Sequence, residues 1–167
     1  MFLNIMLRFI QYIAKRVVAL LILILLAILV TFTAYDCANI YIVVTEGLTQ
    51  RVDAIMNNHE NVSLKKFFSS TFLNSDPLLN NNVYADFIIQ DYKLQLSIKK
   101  LWVWPWEDST RVVVEEVVSD ITATPIEKDQ EVKTPPPWQN GEKIILLERK
   151  AGLWKINGII FKKPIAE

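Results

Sequence analysis

Cysteine is nearly absent from this chain of 167 residues; Cys37 is the only one. No intramolecular disulfide can form, and a four-cysteine metal site is excluded. Histidine also occurs once, as His59 in the stretch Asn57-Asn58-His59-Glu60-Asn61. That stretch is polar throughout and reads as an exposed loop, not as a catalytic or metal site. Glycine is scarce, with four residues, and none of them builds a phosphate-cradling loop or a Gly-x-Ser-x-Gly elbow. Charge of one sign is not in excess either, since 18 basic residues face 18 acidic ones. Arg8, Lys15 and Arg16 all precede the long apolar run, so acids outnumber bases from Asp36 onward. A mildly acidic domain has no electrostatic reason to seek nucleic acid. Nothing in these patterns asks for a cofactor.

What the chain does have is an uncharged run from Val17 to Tyr35, VVALLILILLAILVTFTAY. At about 1.5 Å per helical residue the run spans roughly 28 Å, close to the ~30 Å hydrocarbon core of a bilayer. Tyr12 and Tyr35 suit the two interfaces, bases flank the N-terminal side, and Asp36 opens the other. By the positive-inside rule, residues 1–16 stay cytoplasmic, 17–35 cross the membrane and 36–167 form an extracytoplasmic domain. A cleaved signal peptide shares the basic start and apolar core. Its core is shorter, however, at roughly 7–15 residues, and TFTAYDCA offers no small-x-small cleavage site. The expectation is an uncleaved single-pass signal-anchor. Cys37 reads as a small residue at the membrane exit, with lipidation or an interchain disulfide as the functional alternative.

Beyond the run, Ile40, Val44, Leu48, Val52, Ile55 and Met56 recur at spacings of four and three and predict a helix over 39–57. Glu46, Gln50, Arg51 and Asp53 are placed largely off its apolar face, and Gly47 is a weak point or kink. A second helix is predicted over Ser63–Leu73, with Leu64, Phe67, Phe68, Thr71 and Phe72 as its stripe. SDPLLNNN then reads as turn and loop, broken at Asp76-Pro77. Tyr92, Leu94, Leu96 and Ile98 alternate with polar residues as a half-buried strand does, and the even parity continues through Trp102, Trp104 and Trp106 unless Pro105, which signals an edge or an end, turns the chain. Arg111–Thr124 predicts a long second strand, where Val112-Val113-Val114 and Glu115-Glu116 suggest a bulge or a strongly bent strand. Glu127–Asn140 is a connector stiffened by Pro135-Pro136-Pro137. Lys143–Arg149 and Leu153–Phe161 form a hairpin across Lys150-Ala151-Gly152. The class is α+β: a transmembrane helix, then helices packed on a curved antiparallel sheet.

The closing segment KIILLERKAGLWKINGI resembles the final hairpin of the nuclear transport factor 2-like (cystatin-like) cone, on Gly152, Trp154 and Ile156. VSLKKFFSSTFL is similar to that superfamily's second helix, and the resemblance covers roughly Asn39 to Lys163. It implies N-terminal helices packed into a bent antiparallel sheet. With an anchor attached, it resembles bitopic assembly factors of type IV secretion and conjugation machines, and small anchored cone proteins of Gram-positive bacteria. Together with the low disulfide capacity, this points to a bacterial cell envelope.

The resemblance also implies where chemistry would sit, because the superfamily's enzymes use Asp or His, often with Tyr, in the mouth of the cone. Asp91, Glu115, Glu116 and Asp120, with Tyr84 or Tyr92, are the matching residue types here. Strand carboxylates are usually a solvated face, so the expectation leans away from an enzyme. Trp102, Trp104, Trp106 and Trp138 are the candidate interaction patch, with Trp138 folding back onto the other three. Tryptophan marks binding hot spots and lipid interfaces, and the alternative is that the four cap the sheet core. The function expected is a membrane-anchored, non-enzymatic interaction or scaffold domain. Its partners are the lipid bilayer through the anchor and a protein, or a second copy of the chain through the sheet. The rival is an outward-facing small-ligand-binding or lyase-like domain, which needs an open cavity with a buried carboxylate; filling by Phe67, Phe68, Phe72 and Trp154 would exclude it.

Overall fold

A computed structural model describes residues 2–57, 63–126 and 134–165. One helix, α1 (Phe2–Asn57), runs from the start of the described chain into the domain. Its outer part is open on nearly all sides through the apolar run. From Thr33 onward one face is buried, through Asp36, Ile40, Val44, Leu48, Val52 and Ile55. These positions follow helical spacing, so a single helix changes from solvent-exposed rod to core element without a break. Burying each of the larger aliphatic side chains contributes about 1.5–3 kcal/mol. The helix runs through Gly47 without a break. This glycine lets α1 approach closely, because a Cβ there would meet Phe67 Cβ at 3.0 Å and Ile156 Cδ1 at 3.1 Å.

The predicted helix over Ser63–Leu73 is replaced by a short 3-10 turn (Ser63–Lys66) and then α2 (Ser70–Ser75). The reason is a pair of backbone bonds to the last strand. Ile156 N–H donates to Phe67 O at 2.8 Å, and Ser69 N–H donates to Ile156 O at 2.9 Å. Those bonds hold residues 67–69 extended, and Ser69 then caps α2 by accepting from Phe72 N–H. Asp76-Pro77 does not simply break the chain. Asp76 caps a further single turn, α3 (Pro77–Asn80), with Pro77 at its start.

Four strands complete the domain, β1 (Phe87–Lys100), β2 (Ser109–Pro125), β3 (Gly141–Lys150) and β4 (Leu153–Lys163), paired antiparallel in the order β1-β2-β3-β4. The helices lie on one face and the other face is uncovered, an α+β arrangement. The bulge expected at Val112–Val114 is not there, since Val112, Val114, Glu116 and Val118 alternate inward without a break. The extra residues fall at Gln90 and Lys99 in β1 and, between Asp91 and Lys93, in β2 itself, where Asp120 (φ +55°) and Ile121 stand opposite Tyr92 and the inward parity shifts from Val118 to Ile121. The β3–β4 turn places Ala151 at φ +50° and Gly152 at +79°, the left-handed pair of a tight hairpin.

The core has two parts. Ile40, Val44, Leu48, Phe67, Phe68, Ile145, Leu147, Trp154 and Ile156 pack near the point where α1 enters the domain. Val52, Ile55, Met56, Tyr84, Val118 and Trp138 pack at the far end.

Candidate functional site

The loop between β1 and β2 carries Trp102, Trp104 and Trp106. They are 54%, 38% and 67% exposed. The indoles of Trp104 and Trp106 stack with centroids 5.1 Å apart, and Trp102 meets Trp104 edge-on at 5.4 Å. Glu107 holds the turn, accepting from Trp104 N–H at 3.0 Å while its own N–H donates to Trp104 O. The three therefore form one exposed aromatic surface on a loop, not the continuation of a strand.

Trp138 does not belong to this surface. It is 6% exposed and lies at the opposite end of the domain, stacked on Tyr84 with its Nε1–H donating to Glu116 Oε1 at 2.7 Å. Tyr84 Oη in turn donates to Pro136 O at 2.9 Å, which draws the proline connector over the far core rather than toward the tryptophan loop.

The tryptophan loop is fastened to α1 at one level. Arg149, at the end of β3, donates from Nη2 to Asp36 Oδ2 at 2.6 Å and from Nη1 to Pro105 O at 3.2 Å. Trp154 Nε1–H reaches Asp36 Oδ1 at 3.3 Å, and the Arg149 guanidinium lies 4.5 Å from the Trp154 ring centre. Asp36, the first charge after the apolar run, thus bonds to residues from two strands, and Arg149 links it to the loop. Cys37, beside it, is half-buried against the core and is a packing residue.

At the far end a cavity of about 560 Å³ opens between α1, the short helices and strands β3 and β4. Its apolar wall includes Phe72, Leu78, Trp138, Ile159 and Phe161, and its polar wall includes Arg51, Asp76 and Lys143. Arg51 holds Asp76 through two bonds, Nε to Oδ2 at 2.6 Å and Nη2 to Oδ1 at 3.0 Å. Lys143 Nζ donates to Glu116 Oε1, and both side chains are almost wholly buried. Burial pushes the Lys143 ammonium below the ordinary lysine range, and the Glu116 carboxylate opposes that fall. Glu116 Oε2 is buried with no partner among the described residues.

Of the carboxylates expected on a solvated face, Asp91 and Asp120 are exposed and Glu115 pairs with Lys99 on the outer surface. Glu116 is the exception and is fully buried, because its parity matches Val114 and Val118. Tyr92 Oη donates to Asp53 at 3.3 Å, away from the others. Thus no two of these carboxylates converge with a tyrosine. Phe67, Phe68, Phe72 and Trp154 are buried as expected and pack in the near core, yet a cavity stays open toward the far end, with Phe72 in its wall. His59, with Asn61 and Val62, lies outside the described residues. No cluster of metal-ligating side chains occurs among the described residues.

Sequence reasoning assigns no site role to Asp36, Asp76 or Lys143, and Arg51, expected largely off the apolar face, is instead 5% exposed. Three carry a signal: Arg51 sits three residues after Leu48, Asp36 four before Ile40, and Lys143 shares parity with Ile145 and Leu147. In comparisons with known proteins the chain matches no family model, no curated protein and no solved structure.

Proposed function

We propose that this chain is a membrane-anchored, non-enzymatic interaction domain that associates with a second copy of itself through the outer face of its sheet. In this reading residues 17–35 cross the membrane, 1–16 stay cytoplasmic, and 36–167 form an extracytoplasmic scaffold in a cell envelope. The anchor is supported by the long apolar helix, whose most apolar window is 6% buried and so has no core of its own to serve. The fold is read as a nuclear transport factor 2-like cone, supported by helices and a cavity on one face of an antiparallel meander.

The observation that carries the reading is the uncovered sheet face. Val113, Ile144 and Ile160 lie side by side across three strands, with Leu146 in the adjoining row. Ile160 is 49% exposed. Polar and charged pairs frame the row, among them Lys99–Glu115 and Lys162–Glu142. An apolar centre within a polar rim is the anatomy of a protein interface. The test is cysteine cross-linking of the full chain in membranes, with Ile160→Cys in a Cys37→Ser background. Expected is a covalent dimer from position 160 and none from Lys93→Cys, on the same face but outside the row. A monomer at both positions, or a dimer at both, refutes the sheet contact.

The cavity favours a second reading, a small-ligand-binding domain. Binding suits it better than lyase chemistry, because both nearby carboxylates are already engaged by cations. Asp76 is held by Arg51 and caps α3, while Glu116 is held by Lys143 and Trp138. A ligand with an apolar body and an acceptor group fits walls that combine aromatic side chains with unused N–H groups of Lys143.

A further inference from the structure

We infer that the loop carrying Trp102, Trp104 and Trp106 is a second membrane attachment, seated in the lipid interface beside the anchor; this rests on the reading of α1 as a membrane span. Three observations place it there. First, the loop is fixed at the level of Asp36, through Arg149 to Pro105 O and through Arg149 N–H to Asp108 O at 2.7 Å. Asp36 is the first charged residue after the apolar run, so that level is where the chain leaves the hydrocarbon.

Second, the domain reaches lower than Asp36. Thr33 is 7% exposed although its neighbour Phe32 is 58% exposed and Tyr35 is 66% exposed. A helix cannot bury one of its own residues in this way, so the domain covers that face. Leu29, one turn further down on the same face, is half-buried. From Asp36 to Thr33 and Leu29 is roughly 4 to 10 Å along the helix axis. That is comparable to the roughly 5–10 Å depth at which interfacial segments lie. The parts of the domain tied to this level are the β3–β4 hairpin, through Arg149 and Trp154, and the tryptophan loop, through Arg149.

Third, the chemistry of the surface fits lipid. Three contiguous indoles, two stacked and one edge-on, present a broad amphipathic face, the side chain most favoured at headgroup depth. Leu153, at the neighbouring hairpin turn, is exposed as well. At this end Arg149 pairs with Asp36 and Lys150 with Glu148, while Lys155, beside the hairpin, donates to Lys65 O. The seat is argued from its apolar surface, and a zwitterionic bilayer isolates that contribution. One helix alone leaves the domain free to swivel and tilt. A second contact on one side of it fixes the orientation.

The test reconstitutes the full chain in phosphatidylcholine vesicles with and without phosphatidylcholine brominated high on its acyl chains, and reads tryptophan emission. Three of the five tryptophans lie in the loop, so a loss of roughly three-fifths of the emission is expected. The triple variant Trp102→Ser, Trp104→Ser, Trp106→Ser retains buried Trp138 and Trp154, of which Trp154 lies at the Asp36 level, and its fractional quenching is expected to fall to less than half that of the natural chain. Should that variant fail to fold, bimane on Trp106→Cys in a Cys37→Ser background gives an independent reading, with a blue shift and bromolipid quenching expected. Flotation of the vesicles after an alkaline wash reads the anchor separately. Protein that floats but is not quenched overturns the seat and leaves the anchor standing, and a protein adduct at this loop would then identify its occupant. Protein washed from the vesicles overturns both.

Discussion

Replacing Glu116 by Gln keeps the shape of the side chain and an oxygen to accept from Trp138, and removes only the charge that balances Lys143. The ammonium then has two options inside the domain. It remains charged in a site almost closed to water, or it sheds its proton. The second option sets a ceiling on the cost, because neutralising Lys143 costs no more than the gap between the ambient pH and its ordinary value of 10.5. One unit is about 1.4 kcal/mol, so the ceiling is about 5 kcal/mol at pH 7 and about 2 kcal/mol at pH 9. The sign comes from linkage. With Glu116 in place the Lys143 value already lies below 10.5, and without it the value falls further; between these two folded values only the variant gains stability as pH rises, so its penalty shrinks through that window.

The assay is urea unfolding of the full chain in detergent micelles, followed by tryptophan emission and extrapolated to zero urea. Glu116→Gln is expected to cost about 3–5 kcal/mol at pH 7, in line with an uncompensated buried charge, and at most about 2 kcal/mol at pH 9. The double variant Glu116→Leu, Lys143→Met sets a control. Removing a buried pair together commonly gains about 1–4 kcal/mol, while the orphaned Trp138 N–H loses about 1–3. These terms nearly cancel, so the double variant is expected within about 2 kcal/mol of the natural chain. A penalty for Glu116→Gln below about 1 kcal/mol at pH 7, or one independent of pH, would refute the reasoning, because Lys143 would then be hydrated.

Two further outcomes are set by local geometry. Burial first, and then the Asp53 carboxylate, push the Tyr92 hydroxyl from 10.0 up to about 12. Below pH 10 its contribution is intact, and it is lost as pH rises toward 12, because the unfolded chain ionises first; Tyr92→Phe is expected to flatten that part of the alkaline stability profile. Ala151 occupies the left-handed region at φ +50°, ahead of Gly152. A non-glycine residue there costs about 1–2 kcal/mol and asparagine less, so Ala151→Asn is expected to raise stability by about 0.5–1 kcal/mol in urea titrations.

Much of the fold is legible in residue spacing. The apolar run and the stripe Ile40–Val44–Leu48–Val52 share one helical phase, and α1 is one helix because nothing between them breaks it. Strict parity also finds the buried charges. Glu116 continues Val112 and Val114, Lys143 precedes Ile145 and Leu147, and Arg51 lies on the Leu48 face. Their charge argues for the surface and outweighs their position, until the partner that neutralises each one is known. The helix over Ser63–Leu73 is misleading for a different reason, since what undoes it is Ile156, far along the chain, taking the backbone groups of Phe67 and Ser69. The place of Trp138 is equally hidden. Three prolines stiffen a connector without saying which end of a sheet it crosses, and only Glu116 and Tyr84 decide it.

The proposed membrane seat and the proposed sheet contact constrain each other. Lys100, Ser109, Arg149 and Trp154 mark the strand ends near Asp36, while Pro125, Gly141 and Lys163 mark the far ends, near the cavity. The strands therefore run along α1, which covers about 22 Å between Asp36 and Arg51. A sheet standing along the anchor turns its uncovered face sideways, across the membrane surface. Two copies anchored in the same bilayer can bring Val113, Ile144 and Ile160 together by sliding and turning, with no tilt of either domain. Confinement to the membrane raises their effective concentration, so a modest apolar row suffices where the same row on a freely diffusing domain would not. If the tryptophan seat is removed, the face loses its fixed bearing, and cross-linking through position 160 should fall even though no residue of the row has changed.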